Sequence, residues 1–275
     1  MSAVTARPAA MPREGGARAA GTRAALGIAG RNLRTAFTTP SLLLPPIVAP
    51  LVFFTAFSGG LSVLAHVPGF AYRNGYLSFE FVFAALQGAV FAGIFSGLTL
   101  ARDFESGVAR RLLVGVRHHR AIVGGYVLTA LGRAPVVTVA LFLIGLAAGM
   151  NVSADPLQLL LLFAISECLA AMGALWACGI ALRLRTVQAA PLMQIFAFLT
   201  VYLSPVFAPV ALLSPWLRAV ARLNPFTALL ESGRGLMQGD FVRLGATAAA
   251  TAGLLLLLYL WAVLGLRRAR AAGAS

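Results

Sequence analysis

The stretch FVFAALQGAVFAGIFSGLTLA, Phe81 to Ala101, contains no charged residue and is long enough to cross a bilayer as an α-helix. Four similar runs occur elsewhere in the chain, and another is interrupted only by Glu167. The uninterrupted runs are 41–65, 134–152, 187–217 and 244–266, and the interrupted run is 157–182. Backbone amides in lipid need internal partners, and these runs lack the alternation of barrel strands. We therefore expect an all-α polytopic membrane protein.

The composition agrees with this class. Of 275 residues, 60% are hydrophobic and 11% are charged, against roughly 25% charged residues in a soluble domain. The net charge is +14, and all 22 basic residues are arginines. Because these arginines lie between the predicted spans and do not line one soluble face, we expect no nucleic-acid partner.

Hydropathy and length predict six transmembrane helices. The predicted spans are 41–64, 78–100, 121–150, 156–182, 187–210 and 244–266. Sixteen arginines lie in the N-terminal region, the second and fourth loops and the C-terminal tail, whereas the opposite loops carry five. The positive-inside bias therefore predicts a multi-pass protein of the plasma (inner) membrane with both termini in the cytoplasm.

The chain divides into four predicted segments. Residues 1–23 are rich in Ala, Gly and Arg and predict a disordered basic tail, and 267–275 form a cytoplasmic tail. Residues 24–40 predict an amphipathic helix in the membrane interface, with Asn32 on its polar face; an extension of the first span is the alternative. The transmembrane domain then covers 41–266.

The loop 211–243, on the side opposite the termini, is amphipathic. It predicts short interfacial or re-entrant helices joined at Asn224-Pro225. The preceding span contains Pro205 and Pro209, which would bend or end its helix. Broken backbone at membrane depth requires protein or a cavity around it.

The chain offers no catalytic constellation. It has no zinc-protease, nucleophile-elbow or paired-cysteine motif, and without lysine it cannot form a Walker A loop. We expect a non-enzyme with no cofactor, no metal site and no catalytic residue. Two ionisable residues lie inside spans: Arg133 and Glu167, at ~18 Å and ~22 Å from the cytoplasmic face. These depths predict an intramembrane ion pair, with either a structural role or a role in transport.

Two segments resemble the ABC type 2 transporter permeases, the membrane subunits of ATP-binding-cassette exporters, including the daunorubicin-resistance type. The first is the charged loop 101–120, RDFESGVARRLLVGVRHHR from Arg102, although it lacks the proline that the family often carries before the next span. The second is LNPFTALLESGRGLMQGD, before the last span. The matching residues are Asp103, Glu105, Gly107, Arg111 and Leu112 in the first segment, and Asn224, Pro225, Arg234, Gly235 and Gly239 in the second.

The resemblance implies a permease subunit that pairs with a separate ABC ATPase. This ATPase would dock on a coupling helix within 101–120. The residues agree, because a short helix with both charge signs and an apolar ridge of Val108, Leu112 and Leu113 is typical of a protein contact. A solvated positive-inside loop is the alternative.

The resemblance also implies a homodimer or heterodimer surrounded by lipid that exports an amphipathic drug, antibiotic or lipid-like substrate. The alternatives are a polysaccharide or lipid-conjugate permease, a membrane scaffold and an intramembrane enzyme. An enzyme would need convergent polar residues at one depth, and the spans offer few of them.

Overall fold

The computed structural model of the chain describes residues 14–116 and 118–271, and this part is all-helical. Its α-helices are α1 Glu14–Thr38, α2 Pro40–Gly60, α3 Gly75–Glu105, α4 Val108–Gly115, α5 Arg120–Ala147, α6 Pro156–Leu184, α7 Ala190–Tyr202, α8 Pro215–Leu223, α9 Pro225–Met237 and α10 Leu244–Ala271. Three short 3₁₀ turns, Ser62–His66, Val187–Ala189 and Val210–Leu212, lie between them.

Four helices, α3, α5, α6 and α10, are long and apolar enough to cross a membrane. They contain 28 to 31 residues, or about 42–46 Å of helix, which exceeds the ~30 Å hydrocarbon core. These four confirm the multi-pass membrane class. The predicted spans 41–64 and 187–210 contain the shorter apolar helices α2 and α7 instead of two long ones.

Helix α7 is short because its sequence ends it. It stops at Tyr202, and residues 203–209 continue without a helix through Pro205 and Pro209, as the sequence predicts. The predicted short helices of 211–243 are α8 and α9, which meet at Asn224-Pro225. Each begins with a proline at its first position, where the missing N–H leaves no hydrogen bond unmade.

Helix α3 is the centre of the bundle and packs most extensively against α6. A Cβ atom on Gly93 would overlap the carbonyl of Ala170, and one on Gly97 would overlap Ala177. On α6, a Cβ on Gly173 would come within 2.5 Å of the Val90 carbonyl. Small residues allow this close approach, which matters in lipid because packing, not the hydrophobic effect, joins helices there.

Helix α1 begins at Glu14, inside the segment 1–23 that the sequence predicts as a basic tail; residues 1–13 lie outside the described part. Ala and Arg are favourable helix formers, and a helix extends easily from an anchored segment. The anchor is α5, where a Cβ on Gly125 would meet Ile28 at 2.7 Å. Asn32, expected on the polar face, is buried against α5, and its amide donates to Thr129.

The two ends of the bundle are named here by the helices that lie there. The α4 side contains the end of α3, α4, the start of α5 and the ends of α6 and α10. The α9 side contains the connections 61–74 and 148–155 together with 203–243. The residues that carried the family resemblance lie in one segment on each side.

Candidate functional site

Helix α4 follows the end of α3 after a two-residue turn. Gly107 connects the two helices with φ of +77°, a left-handed conformation that costs other residues roughly 1–2 kcal/mol. The eight residues of α4 bury Ala109 and leave the last two residues, Val114 and Gly115, exposed. The coupling segment of the sequence is therefore a short, separate helix on the α4 side.

The exposed face of α4 differs from the predicted one. Leu112 and Leu113 pack against the bundle core, whereas the side chain of Val114 is 90% exposed. Arg110 and Arg111 are exposed on the same helix. Leu112 therefore positions α4 on the bundle, and the surface open to a partner consists of Val114 and two arginines, a mixture found in protein interfaces.

Asp103 joins the end of α3 to two other helices. Its Oδ2 accepts hydrogen bonds from the guanidinium of Arg31 in α1 and from the hydroxyl of Tyr126 in α5. The Asp103 side chain is only 14% exposed, and Tyr126 is completely buried. Charge-assisted hydrogen bonds are stronger than neutral ones, so Asp103 holds this end of α3 in place.

Glu105 joins the same end of α3 to the connection between α6 and α7. Its Oε1 accepts from Thr186 Oγ1 at 2.9 Å and from the Val187 amide at 2.8 Å. These donors lie immediately before α7. The two acidic residues that sequence reasoning assigned to a docking surface therefore contact this chain itself, and only long-range contacts reveal their partners.

On the α9 side, Asn224 connects α9 to α7. Its Oδ1 accepts from the Phe226 amide at 3.0 Å and so caps the start of α9, where Pro225 occupies the first position. Its Nδ2 donates to the carbonyl of Thr200 in the last turn of α7. One side chain therefore satisfies backbone groups at the ends of both helices.

Arg234 holds the broken backbone that follows α7. It is only 5% exposed, and its guanidinium stacks on the Phe79 ring at 3.3 Å from the ring centroid. Its nitrogens donate to the carbonyls of Phe79 at 3.3 Å, Pro205 at 2.6 Å and Val206 at 2.7 Å. The interruption predicted from Pro205 thus has a protein donor for its carbonyls.

The two matching glycines close the C-terminal end of α9. Gly239 has φ of +87°, and a Cβ there would lie 3.1 Å from the Ser153 carbonyl. A Cβ on Gly235 would lie 2.6 Å from the side chain of Val242. Asn74 donates to the Met237 carbonyl at 2.8 Å in the same region. The structure thus brings all five matching residues of this segment into one packed unit on the α9 side.

Comparison with known families supplies the identity of the chain. The family model described as ABC-2 type transporter matches residues 25–237, which contain both α4 and α9. The chain belongs to the ABC-2 type transporter family. No curated protein matches the chain. The protein is therefore a permease subunit of an ABC-2 type transporter.

The predicted ion pair between Arg133 and Glu167 of the permease is not formed. The Nε of Arg133 and Oε2 of Glu167 are buried without hydrogen-bond partners, and the ion pairs of the described residues lie elsewhere. Measured from the ends of α5 and α6, the residues lie ~20 Å and ~26 Å from the α4 side. Side chains lean toward the N-terminus of their helix, so on these antiparallel helices they lean apart.

Glu80 is a buried carboxyl that sequence reasoning missed. It lies in the second turn of α3, is completely buried, and both of its oxygens lack hydrogen-bond partners. It interacts electrostatically with Arg234. About two turns further along α3, Gln87 donates to the Tyr202 hydroxyl at 2.9 Å. The available signal was a lone carboxylate directly before the uncharged run that begins at Phe81.

The described part of the permease contains no cluster of three His, Cys, Asp or Glu side chains that could hold a metal ion. Cys168 and Cys178 are free thiols. The polar side chains of both segments therefore hold helices in place. Charged and amide groups hydrogen-bond to backbone atoms near helix ends, and α4 presents an exposed face.

Proposed function

We propose that the permease is the membrane subunit of an ATP-driven exporter that works with separate ABC ATPase subunits. In this proposal two copies, or one copy and a related permease, form the transport unit. Helices α2 and α7 complete six spans with the four long helices, and α4 and both termini lie in the cytoplasm of the plasma (inner) membrane. When the ATPases close on ATP they move α4. The helix bundle then alternates between a state open to one side of the membrane and a state open to the other.

The observation that carries the proposal is the way α4 is fixed to the bundle. Asp103 connects the preceding end of α3 to α1 and α5, and Glu105 connects it to the start of α7. A loop that only marked topology would need no such connections. A helix that transmits force from a bound partner does need them, and the exposed Val114 offers that partner an apolar contact.

The substrate class is supported by an apolar groove of about 710 Å³ between α3, α6, α7, α8, α9 and α10. Its described lining is apolar except for Thr200 and Asn224, and both polar groups of the Asn224 side chain already have backbone partners. Such a lining suits an amphipathic drug, antibiotic or lipid-like molecule. A polysaccharide would need many more hydrogen-bonding side chains.

The docking test uses Val114→Asp, with Val63→Asp as the matched control. Both valines are largely exposed, and Val63 lies on the α9 side. Stand-alone ABC ATPases from the source genome are co-expressed with each variant and co-purified. We expect Val114→Asp to reduce recovery of the cognate ATPase at least about tenfold, since buried apolar anchors dominate interfaces. Equal recovery with both variants would remove α4 from the interface.

The transport test uses the permease and its ATPase in inside-out vesicles. ATP-dependent uptake of an amphipathic fluorescent drug supports the proposed substrate class, whereas uptake of labelled oligosaccharide alone favours the polysaccharide alternative. Absence of any ATPase partner together with absence of uptake contradicts the transporter proposal and favours a scaffold.

The orientation test places single cysteines at Ser106 and Ser153 in a background with Cys168 and Cys178 replaced by alanine. A membrane-impermeant maleimide applied to spheroplasts should label the cysteine at 153, on the α9 side, and spare the one at 106, beside α4. The opposite pattern would invert the topology.

A further inference from the structure

A positively charged cleft of about 800 Å³ lies on the α4 side, between α4, the residue before α5, and the ends of α6 and α10. Four arginines line it, together with His119 and the ring of Phe104. The arginines are Arg110 from α4, Arg185 after α6, and Arg267 and Arg270 from the last turns of α10. Separate parts of the chain therefore converge to concentrate positive charge in one concave space.

The charge of the cleft is not balanced by the carboxylates nearest to it in the chain. No acidic residue is found among the described residues that line the cleft. Asp103 is bonded to Arg31 and Tyr126, and Glu105 is bonded to the connection before α7. Converging guanidinium groups repel one another, and an anion between them would relieve that repulsion.

Arg185 makes this cleft a built site. It ends α6 with φ of +58°, its guanidinium lies 5.8 Å from the ring centroid of Phe104, and one nitrogen donates to the Ala269 carbonyl at 3.0 Å. These contacts hold the side chain in place. Its Nε is nevertheless buried without an acceptor. A guanidinium that lines the cleft and is held in place suits a phosphate oxygen, because arginine binds phosphate in a forked geometry.

The exposed face of helix α10 indicates which kind of molecule carries the phosphate. Leu257, Leu260 and Leu264 are each at least half exposed and follow one another at helical spacing along one face. Arg267 continues the same face three residues beyond Leu264 and lines the cleft. A leucine face exposed at membrane depth that ends in an arginine cleft matches the acyl chains and headgroup of one phospholipid.

We propose that this cleft binds the phosphate headgroup of an anionic phospholipid, whose acyl chains lie along the leucine face of α10. The lipid occupies the leaflet on the α4 side and borders the exposed face of α4. The site shares Arg110 and Val114 of α4 with the proposed ATPase contact, but headgroup binding itself needs neither an ATPase nor a transported substrate.

The test is lipid retention by the purified full-length chain, measured by native mass spectrometry. The probes are phosphatidylglycerol and phosphatidylcholine of equal chain length, titrated separately. The variant Arg267→Gln/Arg270→Gln removes two exposed charges from the cleft. Arg268→Gln is the matched control, because Arg268 lies in the same turn but does not line the cleft. Arg185→Gln is a second, independent variant from α6.

We expect phosphatidylglycerol to bind about tenfold more tightly than phosphatidylcholine, and expect both cleft variants to remove most of that preference. Arg268→Gln should change binding less than twofold. Because Arg267 and Arg270 are exposed, their replacement should leave the melting temperature unchanged.

Three results would overturn the proposal. Equal retention of the two lipids, or equal loss with the Arg268 control, would mean that the cleft has no headgroup specificity. Displacement of phosphatidylglycerol by millimolar inorganic phosphate would identify a soluble-phosphate site. Tighter binding of a short polyglutamate peptide than of phosphatidylglycerol, lost in both cleft variants, would assign the cleft to an acidic protein segment.

Discussion

Replacement of Arg234 by methionine should destabilise the permease strongly. The change keeps most of the side-chain volume but removes the hydrogen bonds to the carbonyls of Phe79, Pro205 and Val206. Hydrogen bonds inside membrane proteins contribute ~0.6 kcal/mol on average and ~1.7 kcal/mol at most, so three of them contribute about 2–5 kcal/mol. For a chain of this size that corresponds to a melting temperature lower by roughly 4–20 °C.

The assay is tryptophan fluorescence during heating in detergent, with Arg222→Met as the control. Arg222 is exposed on α8, so the same chemical change there should shift the melting temperature by less than about 2 °C. Arg234→Lys should also lose most of the stabilisation that Arg234 supplies, because one ammonium group cannot reproduce the hydrogen bonds of the guanidinium fork. An Arg234→Met melting temperature equal to that of the Arg222 control would refute the role assigned to Arg234.

A double-mutant cycle with Glu80 sharpens the experiment. Glu80 has no hydrogen-bond partner but interacts electrostatically with Arg234. Without the guanidinium, the buried carboxyl loses its only identified source of favourable charge. Glu80→Gln should therefore recover part of the loss in the Arg234→Met background. Strictly additive effects would mean that the two residues act independently.

Three further predictions follow from the other contacts. Glu105→Ala should lower ATP hydrolysis by the permease–ATPase complex at least about threefold while membrane insertion stays normal, because it breaks two hydrogen bonds before α7; an unchanged rate would contradict this. Exchange of Arg133 and Glu167 should give no more folded protein than the worse single replacement, measured by size-exclusion recovery, since the two are unpaired. Gly97→Leu should abolish folded protein in the same assay because α6 leaves no space for a side chain, whereas Gly253→Leu, at an open position, should not.

The sequence predicted the elements whose determinants are local. Uncharged runs predicted the positions of α3, α5, α6 and α10 to within several residues. Prolines predicted the end of α7 and the junction of two short helices at Asn224-Pro225. Each of these features depends on the residues of one segment and needs no knowledge of what packs beside it.

The sequence could not predict which distant groups meet. In the sequence, Asp103 and Glu105 form an acidic pair in a charged loop. In the structure, Asp103 contacts Arg31, 72 positions away, and Glu105 contacts Thr186, 81 positions away. Arg133 and Glu167 match in depth when counted from the predicted span ends, yet in the structure they form no ion pair. Pattern and depth alone do not specify side-chain direction or tertiary neighbours.

Helix α7 is attached at both ends, and this has a mechanical consequence. At its start, Glu105 holds the adjoining amide of Val187, and at its end Asn224 holds the carbonyl of Thr200. A hydrogen-bonded helix of 13 residues, about 20 Å long, does not stretch appreciably. An axial displacement of one attachment point by one or two ångströms must therefore arrive at the other nearly undiminished. The α4 side and the α9 side therefore shift together along this axis as long as these hydrogen bonds hold and the 3₁₀ turn Val187–Ala189 before α7 keeps its shape.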